Sequence, residues 1–307
     1  MVGKPKVFID GREGTTGLQI YERLCERGDI TLLPIDESKR KDVYTRRKLI
    51  NRADLVFLCL PDDAARESVS LIENENTRVI DASTAHRTDP GWVYGLPELS
   101  PAQRRKIAEA RFVDNPGCHA TGIITSVYPL LSMGILPKDY PLACFSLTGY
   151  SGGGKSMIRS YEQEDMTPDM YAPKLYGLDM KHKHLPEIVH VTGLTRPPVF
   201  CPIVDDYYSG MATTISLHND MLAGKPTSAE IRDRLAEYYA GESYVTVSPE
   251  LGSGMLESNW GVSTNDLELT VSGNDELTIV TARFDNLGKG ASGAAVQNME
   301  IMLNIML

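Results

Sequence analysis

The chain has 307 residues, 42% of them hydrophobic and 23% charged, the composition of a soluble globular protein long enough for two domains. Its formal net charge of −10 argues against nonspecific nucleic-acid binding, and no apolar run approaches the roughly 20 residues of a membrane span. Five widely spaced cysteines, Cys25, Cys59, Cys118, Cys144 and Cys201, form neither a disulfide framework nor a C-x-x-C zinc site, so a reduced, cytoplasmic setting without a metal is expected.

The N-terminus enters a strand directly, KVFID over residues 6–10, with no signal-peptide pattern. GREGTTG follows, and LQIYERLCER continues it with apolar residues at helical spacing. Between strand and helix, Gly11 permits a tight turn, Gly14 lets a pyrophosphate approach the backbone, and Gly17 allows close helix–strand packing. The helix N-terminus adds N–H donors and a positive dipole end. The spacing is G-x-x-G-x-x-G rather than the commoner G-x-G-x-x-G, and a tight turn without a ligand is the alternative. TLLPI (31–35) reads as a second strand ending at Asp36, a candidate acceptor for a ribose 2′-hydroxyl. Ser38, Lys39 and Arg40 follow at once and suit a 2′-phosphate instead, which favours NADP(H). An ordinary solvated loop is the alternative.

ADLVFLCL (53–60) has the continuous apolar run of a parallel strand covered on both faces. A helix over about 64–75 leads to RVIDAS (78–83), and a helix near 102–110 leads to RFVDN (111–115). This alternation predicts a doubly wound, mostly parallel sheet. STAHR (83–87) follows the fourth strand at the carboxyl edge, where ligands bind in such sheets, and Arg87 there is placed to grip a phosphate or carboxylate.

NPGCHATG (115–122) puts Cys118 at the start of a helix running to about Met133. A helix N-terminus favours the thiolate, the reactive form of cysteine. Cys118 is either a nucleophile or a small buried residue; the other four cysteines lie inside apolar patterns and read as core. Strands LACFSLTGY, PVFCPIV and GMATTISLH follow, and ELTVSG and ELTIVTARF flank a turn at Asn274-Asp275. SGGGKS (151–156) lacks the full phosphate-loop spacing and is read as close backbone packing, not an ATP site. In KHKHLPEI (181–188), the alternation of His182 and His184 before Pro186 predicts two imidazoles on one side of an extended segment. They serve an active site or belong to a basic surface loop; zinc lacks a third ligand nearby. His119 adjoins Cys118, but neighbouring helix residues point about 100° apart, so it makes a poor base. GKGASG (288–293) opens an apolar C-terminal helix and either approaches a nicotinamide or forms a flexible turn.

Taken in order, GREGTTG, CLPDDA, DASTAHR, YGLPEL, NPGCHATG, GYSGGGK, KHKHLPEI and DNLGKGASGAAVQN resemble the N-acetyl-gamma-glutamyl-phosphate reductases in their shorter form, whose wider relatives are aspartate-semialdehyde dehydrogenases. The resemblance spans essentially the whole chain. It implies an α/β Rossmann-type doubly wound domain, 1–117 joined by a returning C-terminal segment 287–307, and an α+β catalytic and oligomerisation domain, 118–286, with a largely antiparallel sheet. It also implies a cytoplasmic homo-oligomer, dimer or tetramer, that reduces a small acyl phosphate with NADP(H) in arginine biosynthesis. Cofactor contacts then fall on Gly11, Gly14, Thr15, Thr16, Gly17, Ser38, Arg40, Leu60, Pro61, Ser83, Asn286, Lys289 and Gly290, and substrate contacts on Arg87, Asn115, Gly149 and Ser151. Cys118 becomes the nucleophile, His184 the acid/base, and His182 its alternate or a substrate contact. Two departures stand out: longer members read S-A-D-F-R where this chain has Ser83 to Arg87, and tyrosine is frequent where it has His119. The alternatives are a related reductase acting on aspartyl phosphate and a noncatalytic dinucleotide sensor with an inert Cys118.

Overall fold

A computed structural model describes residues 3–305. The chain divides into two units, one running to Pro116 and resuming at Ala291, the other spanning Gly117–Gly290. The first unit contains β1 (Lys6–Asp10), α1 (Thr15–Leu24), β2 (Thr31–Leu32), α2 (Val43–Ile50), β3 (Leu55–Leu58), α3 (Asp62–Ser70), β4 (Arg78–Asp81), β5 (Val93–Tyr94), α4 (Pro101–Glu109) and β6 (Phe112–Asp114), and the C-terminal helix Gly293–Leu303. Its sheet has the order β2-β1-β3-β4-β6-β5, with every pairing parallel.

The period-2 alternation of a strand divides this sheet's side chains between two cores. Val7, Ile9, Leu55, Phe57, Ile80 and Val113 face one side, where Ala295, Met299 and Met302 of the C-terminal helix join them. Phe8, Val56, Leu58 and Val79 face the other, against Leu49 and Ile50 of α2. A continuous apolar run such as LVFL in β3 is therefore covered on both faces. β2 and α3 end earlier than the sequence pattern predicts. The ladder beside β1 ends as Leu33 N–H donates to Val7 O, since Pro34 has no N–H to continue it; Asp36 thus lies outside the strand. α3 stops at Ser70 because Asn51 Oδ1 captures the N–H groups of Glu73 and Asn74 at 2.6 and 2.7 Å.

The second unit contains α5 (Cys118–Ser132), β7 (Ala143–Gly149), α6 (Gly154–Tyr161), β8 (Lys174–Leu175), α7 (Leu185–Thr192), β9 (Val199–Asp205), β10 (Met211–His218), α8 (Ser228–Tyr238), β11 (Val245–Val247), β12 (Leu267–Gly273) and β13 (Leu277–Phe284). Its sheet has the order β11-β12-β13-β10-β7-β9-β8, and only the pairs β11–β12 and β7–β9 are parallel. Asn274 Oδ1 closes the β12–β13 hairpin by accepting from the N–H groups of Glu276 and Leu277. α5 lies on one sheet face so closely that a Cβ on Gly122 would sit 2.7 Å from the Thr213 side chain. The opposite face carries a row formed by Val199, Ala143, Ser216 and Ile279. Residues 287–290 pack with this second unit: Gly290 N–H donates to Asp285 O in a π-turn. The first unit resumes at Ala291.

One buried ion pair braces the first unit. Arg46 Nε donates to both Asp10 oxygens at 3.2 Å, its NH1 meets Glu67 at 2.9 Å, and Ser68 Oγ donates to Asp10 at 2.7 Å. Replacing Arg46 by methionine leaves a buried carboxylate without its cation. Urea denaturation of Arg46→Met should show a loss of about 3–5 kcal/mol, and an unchanged midpoint would overturn the bracing role.

Candidate active site

In the first unit, the turn after β1 frames a cleft of about 560 Å³. Gly11 sits at φ +89°, and a Cβ there would overlap the Cys59 carbonyl oxygen, so backbone and packing both demand glycine. Gly17 is equally constrained, since its Cβ would run into Gly11 O. Gly14 differs: a Cβ would meet only Gly11 O and Cys59 O at 3.4 and 3.5 Å, ordinary contact for a protein atom. Gly14 is the N-cap of α1, no side chain caps that helix, and it lines the cleft with Gly11, Leu60, Pro61 and Arg40. The N-terminus of α1, with Thr15 and Thr16 in its first turn, is thus open to an anion on the cleft side.

Three cations on the cleft wall, Arg12, Arg40 and Lys41, complement a phosphorylated dinucleotide. Arg12 and Lys41 escaped the sequence reading although both adjoin residues it singled out. Arg46 also lines the cleft but is committed to Asp10 and Glu67. Ser38 does not line it; its hydroxyl donates to Asp36 at 2.6 Å, and Asp36 caps the short turn 37–39. Ser83 is likewise turned to the protein, donating through N–H and Oγ to Asp81 at 2.9 and 2.8 Å. Arg87 is buried, and two of its donors go to Asn115 O and Ala82 O. Asn115 points inward as well: its amide nitrogen donates to Ala291 O, and its oxygen accepts from Asn298. These residues shape the segment that leads into NPGC.

In the second unit, Cys118 is the first residue of α5, half-buried, behind the N-cap Gly117. Two features define its surroundings. A Cβ on Gly290 would lie 2.9 Å from Cys118 Cβ, so the absence of that atom leaves room at the thiol-bearing residue. Gly117 N–H donates to Oε1 of the buried Glu187 at 2.8 Å, joining the start of α5 to the first turn of α7. Glu187 lies in the KHKHLPEI motif, yet sequence spacing gave it no role.

The histidine motif is not extended. His184 has helical φ and ψ, −86° and −13°, as N-cap of α7, and Leu185 N–H donates to His182 O. The two rings meet, centroids 4.8 Å apart, because the chain turns: His184 N–H donates to His182 Nδ1 at 3.2 Å. His119 packs into the same group, 5.4 Å from His182 and 5.6 Å from His184, with Phe200 at 5.3 Å. Its Nδ1 lies 2.8 Å from Ser146 Oγ and its Nε2 2.6 Å from Tyr176 Oη. Burial, then the cationic neighbourhood of His182 and Lys183, pushes His119 down to about 3; burial, then Lys183, pushes His182 down to about 4. Burial, and then the Cys118 charge, raises the Tyr176 phenol above its ordinary value. A neutral His119 donates from one ring nitrogen and accepts at the other, so one imidazole joins the Tyr176 hydroxyl to the Ser146 hydroxyl.

Gly149, Ser151 and Asn286 form a separate lock. A Cβ on Gly149 would lie 2.5 Å from Tyr208 O. Asn286 donates to Ser151 Oγ at 3.0 Å and accepts from Gly210 N–H at 2.8 Å. Asn286 and Ser151 thereby brace the chain around Gly210. Lys289 is fully buried, its Nζ 5.6 Å from the Tyr244 ring centroid. Among the described residues, no group of three or more His, Cys, Asp or Glu side chains is arranged to hold a metal.

Two family models match the chain: a semialdehyde dehydrogenase NAD-binding domain over residues 31–107 and a semialdehyde dehydrogenase dimerisation domain over 118–286. N-acetyl-gamma-glutamyl-phosphate reductase 2 of Nostoc sp. is 48% identical, over 99% of this chain and 98% of its own. The enzyme of the same name from Pseudomonas putida is 47% identical, over 98% of each. Aspartate semialdehyde dehydrogenase II of Vibrio cholerae matches in structure with a TM-score of 0.74 at 12% identity, covering 99% of this chain and 100% of that one. The Candida albicans aspartate semialdehyde dehydrogenase solved with NADP matches at 0.65 and 15% identity, with coverage of 99% and 100%. At such identities these two structures speak for the fold alone.

The glycine geometry separates folding from ligand binding. Gly14→Ala should leave the urea midpoint nearly unchanged while weakening NADP(H) binding about tenfold, whereas Gly11→Ala should cost about 1–3 kcal/mol of stability. Equal effects of the two on binding and folding would refute the division. The two depressed histidines give a pH signature. Their neutral forms are favoured in the fold, so that contribution is complete above the ordinary value near 6.5 and is lost as pH falls towards 4 and then 3. Unfolding free energy should decline across that window, and His119→Gln should flatten the decline; an identical slope in the variant would count against it.

Proposed function

Because this chain belongs to the N-acetyl-gamma-glutamyl-phosphate reductase family of semialdehyde dehydrogenases, we propose the following roles for its residues in the NADPH-dependent conversion of N-acetyl-L-glutamyl 5-phosphate to N-acetyl-L-glutamate 5-semialdehyde. The observation that supports the assignment most is Cys118 at the start of α5, open past Gly290 and tied through Glu187 to the helix that the histidine turn begins.

Cys118 attacks the carbonyl carbon of the acyl phosphate, and the bond from that carbon to the phosphate oxygen breaks, leaving a thioester on the sulfur. His184 takes the thiol proton and passes it to the departing phosphate oxygen. His184 is held as the N-cap of α7, just ahead of Pro186, which supports it for this task, with His182 as its alternate or a substrate contact. Backbone N–H groups at the start of α5 are suited to the carbonyl oxygen as it gains negative charge. NADPH, which the open N-terminus of α1 and the cations Arg12, Arg40 and Lys41 fit, supplies the hydride. Collapse of the thiohemiacetal on Cys118 then releases the aldehyde and restores the thiolate, which regains its proton from solvent.

The matched dimerisation model and the exposed Val199, Phe145 and Ile279 on the open face of the second sheet support self-association, as a dimer or tetramer that sedimentation equilibrium distinguishes. No helix among the described residues is long and apolar enough to cross a membrane, and we place the enzyme in the cytoplasm, where thiols stay reduced.

The reverse reaction tests the substrate. Phosphate-dependent reduction of NADP+ should proceed with N-acetylglutamate semialdehyde and far more slowly with aspartate semialdehyde; the opposite preference overturns the assignment. Cys118→Ser should lower turnover on the order of 10³-fold or more while sparing NADPH binding. His184→Asn should cost about 10²–10⁴-fold in kcat, and a larger effect from His182→Asn would exchange the two roles.

A further inference from the structure

The segment between β8 and α7 is weakly held by its backbone. β8 contributes two residues to the sheet edge, and one further bond joins Tyr176 N–H to Pro202 O at 3.1 Å. Beyond it, Gly177 and Met180 both have left-handed φ, +62° and +56°, and Leu175, Leu178 and Met180 are exposed. Left-handed backbone at a methionine costs energy, and such a conformation persists only where the surroundings impose it. This strap nevertheless carries His182 at its end, and a Cβ on Gly177 would already be 3.7 Å from the His182 ring.

Two contacts tie the strap and the turn after it to α5. At the far end, Glu187 accepts from Gly117 N–H. At the near end, the Tyr176 hydroxyl meets His119 Nε2, and a chain of hydrogen bonds continues from His119 Nδ1 to Ser146 Oγ and on to Thr213 Oγ1 at 2.7 Å. Ser146 and Thr213 are paired residues of β7 and β10 in the interior of the sheet. The strap is thus anchored through one imidazole to the buried interior of the sheet. His119 is the residue directly after Cys118, so the anchor lies one peptide from the thiol.

We propose that the Tyr176–His119 hydrogen bond is a clasp that sets the position of His182, and through His182 Nδ1 the backbone of His184, relative to Cys118. Tyr176 and His119 are positioning residues: neither exchanges a proton with the substrate. His119 is well suited to the task because a neutral imidazole is an acceptor on one side and a donor on the other, so a single side chain bonds strap and sheet together. The adjacency of His119 to the cysteine thus has a function other than that of a base.

The inference rests on Cys118 being the nucleophile served by the histidine turn, and its test has an arm that needs no substrate. Tyr176→Phe removes one hydroxyl. It should lower kcat about tenfold with KM for acyl phosphate and NADPH within about twofold, and slow iodoacetamide labelling of Cys118 at pH 7, read by peptide mass, by a similar factor. His119→Gln offers an amide oxygen to Tyr176 and an amide N–H to Ser146, and should recover most of the rate lost in His119→Phe. Adding Tyr176→Phe to His119→Phe should change neither readout further, since both remove the same bond. Unchanged kcat and labelling in Tyr176→Phe, or losses that add in the double variant, would overturn the clasp. Failure of the parent protein to reduce the acyl phosphate would instead overturn the reaction assignment, while the labelling arm still decides the clasp.

Discussion

The second unit is organised around a buried helix, α5, whose first residue is Cys118. α5 is held by Ala120, Ile123, Ile124 and Val127, all fully buried, while its first residue, Cys118, is half-buried. Gly117, as N-cap, brings no side chain to compete for the terminal N–H groups. Gly290 brings none that would press on Cys118. The π-turn that presents Gly290 depends in turn on Asp285, which accepts from Leu287 N–H at 2.9 Å and from Ser263 N–H at 2.8 Å. The close approach of Gly290 to Cys118 is thus maintained by backbone geometry some distance along the chain.

Around that thiol the protein buries several polar side chains, at a cost that only well-made hydrogen bonds offset. The histidine group is the main instance. His119 has both ring nitrogens engaged, and its neutral state is what allows it to lie against Phe200 and two other imidazoles. Glu187 is buried yet bonded to a helix N-cap, where negative charge is favoured by the helix dipole. Each arrangement joins α5 to the chain segment carrying the histidines, so polar burial here serves orientation more than stability.

The first unit divides its glycines by task. Gly11 and Gly17 are required by the fold, because side chains there would enter the backbone of neighbouring segments; Gly14 is not, and its bareness benefits only what enters the cleft. The same separation holds among the cations. Arg46 belongs to the buried pair with Asp10, whereas Arg12, Arg40 and Lys41 border the cleft, Arg12 and Arg40 with ion pairs that are exposed and weak.

Features that depend on neighbours in the chain were legible in the sequence. The continuous apolar runs announced a sheet covered on both faces. The glycine turn announced a helix start fit for a phosphate, and Pro-Gly before Cys118 and Pro186 after His184 marked two helix starts. Side-chain direction across the fold was not legible. The motifs of Asn115, Ser151 and Asn286 do not show the internal partners that these side chains have, because Ala291, Gly210 and Asn298 are brought up by distant chain. His119 shows the limit most plainly. Helical spacing turns it away from Cys118, but spacing carries no information about what the strap brings to the other side. The sequence by itself determined the α/β and α+β architecture and the helix that begins at Cys118, since local periodicity and turn chemistry specify both. Only the tertiary structure decided which polar groups face a ligand and which face each other, because hydrogen-bond partners dozens of residues apart are chosen by packing.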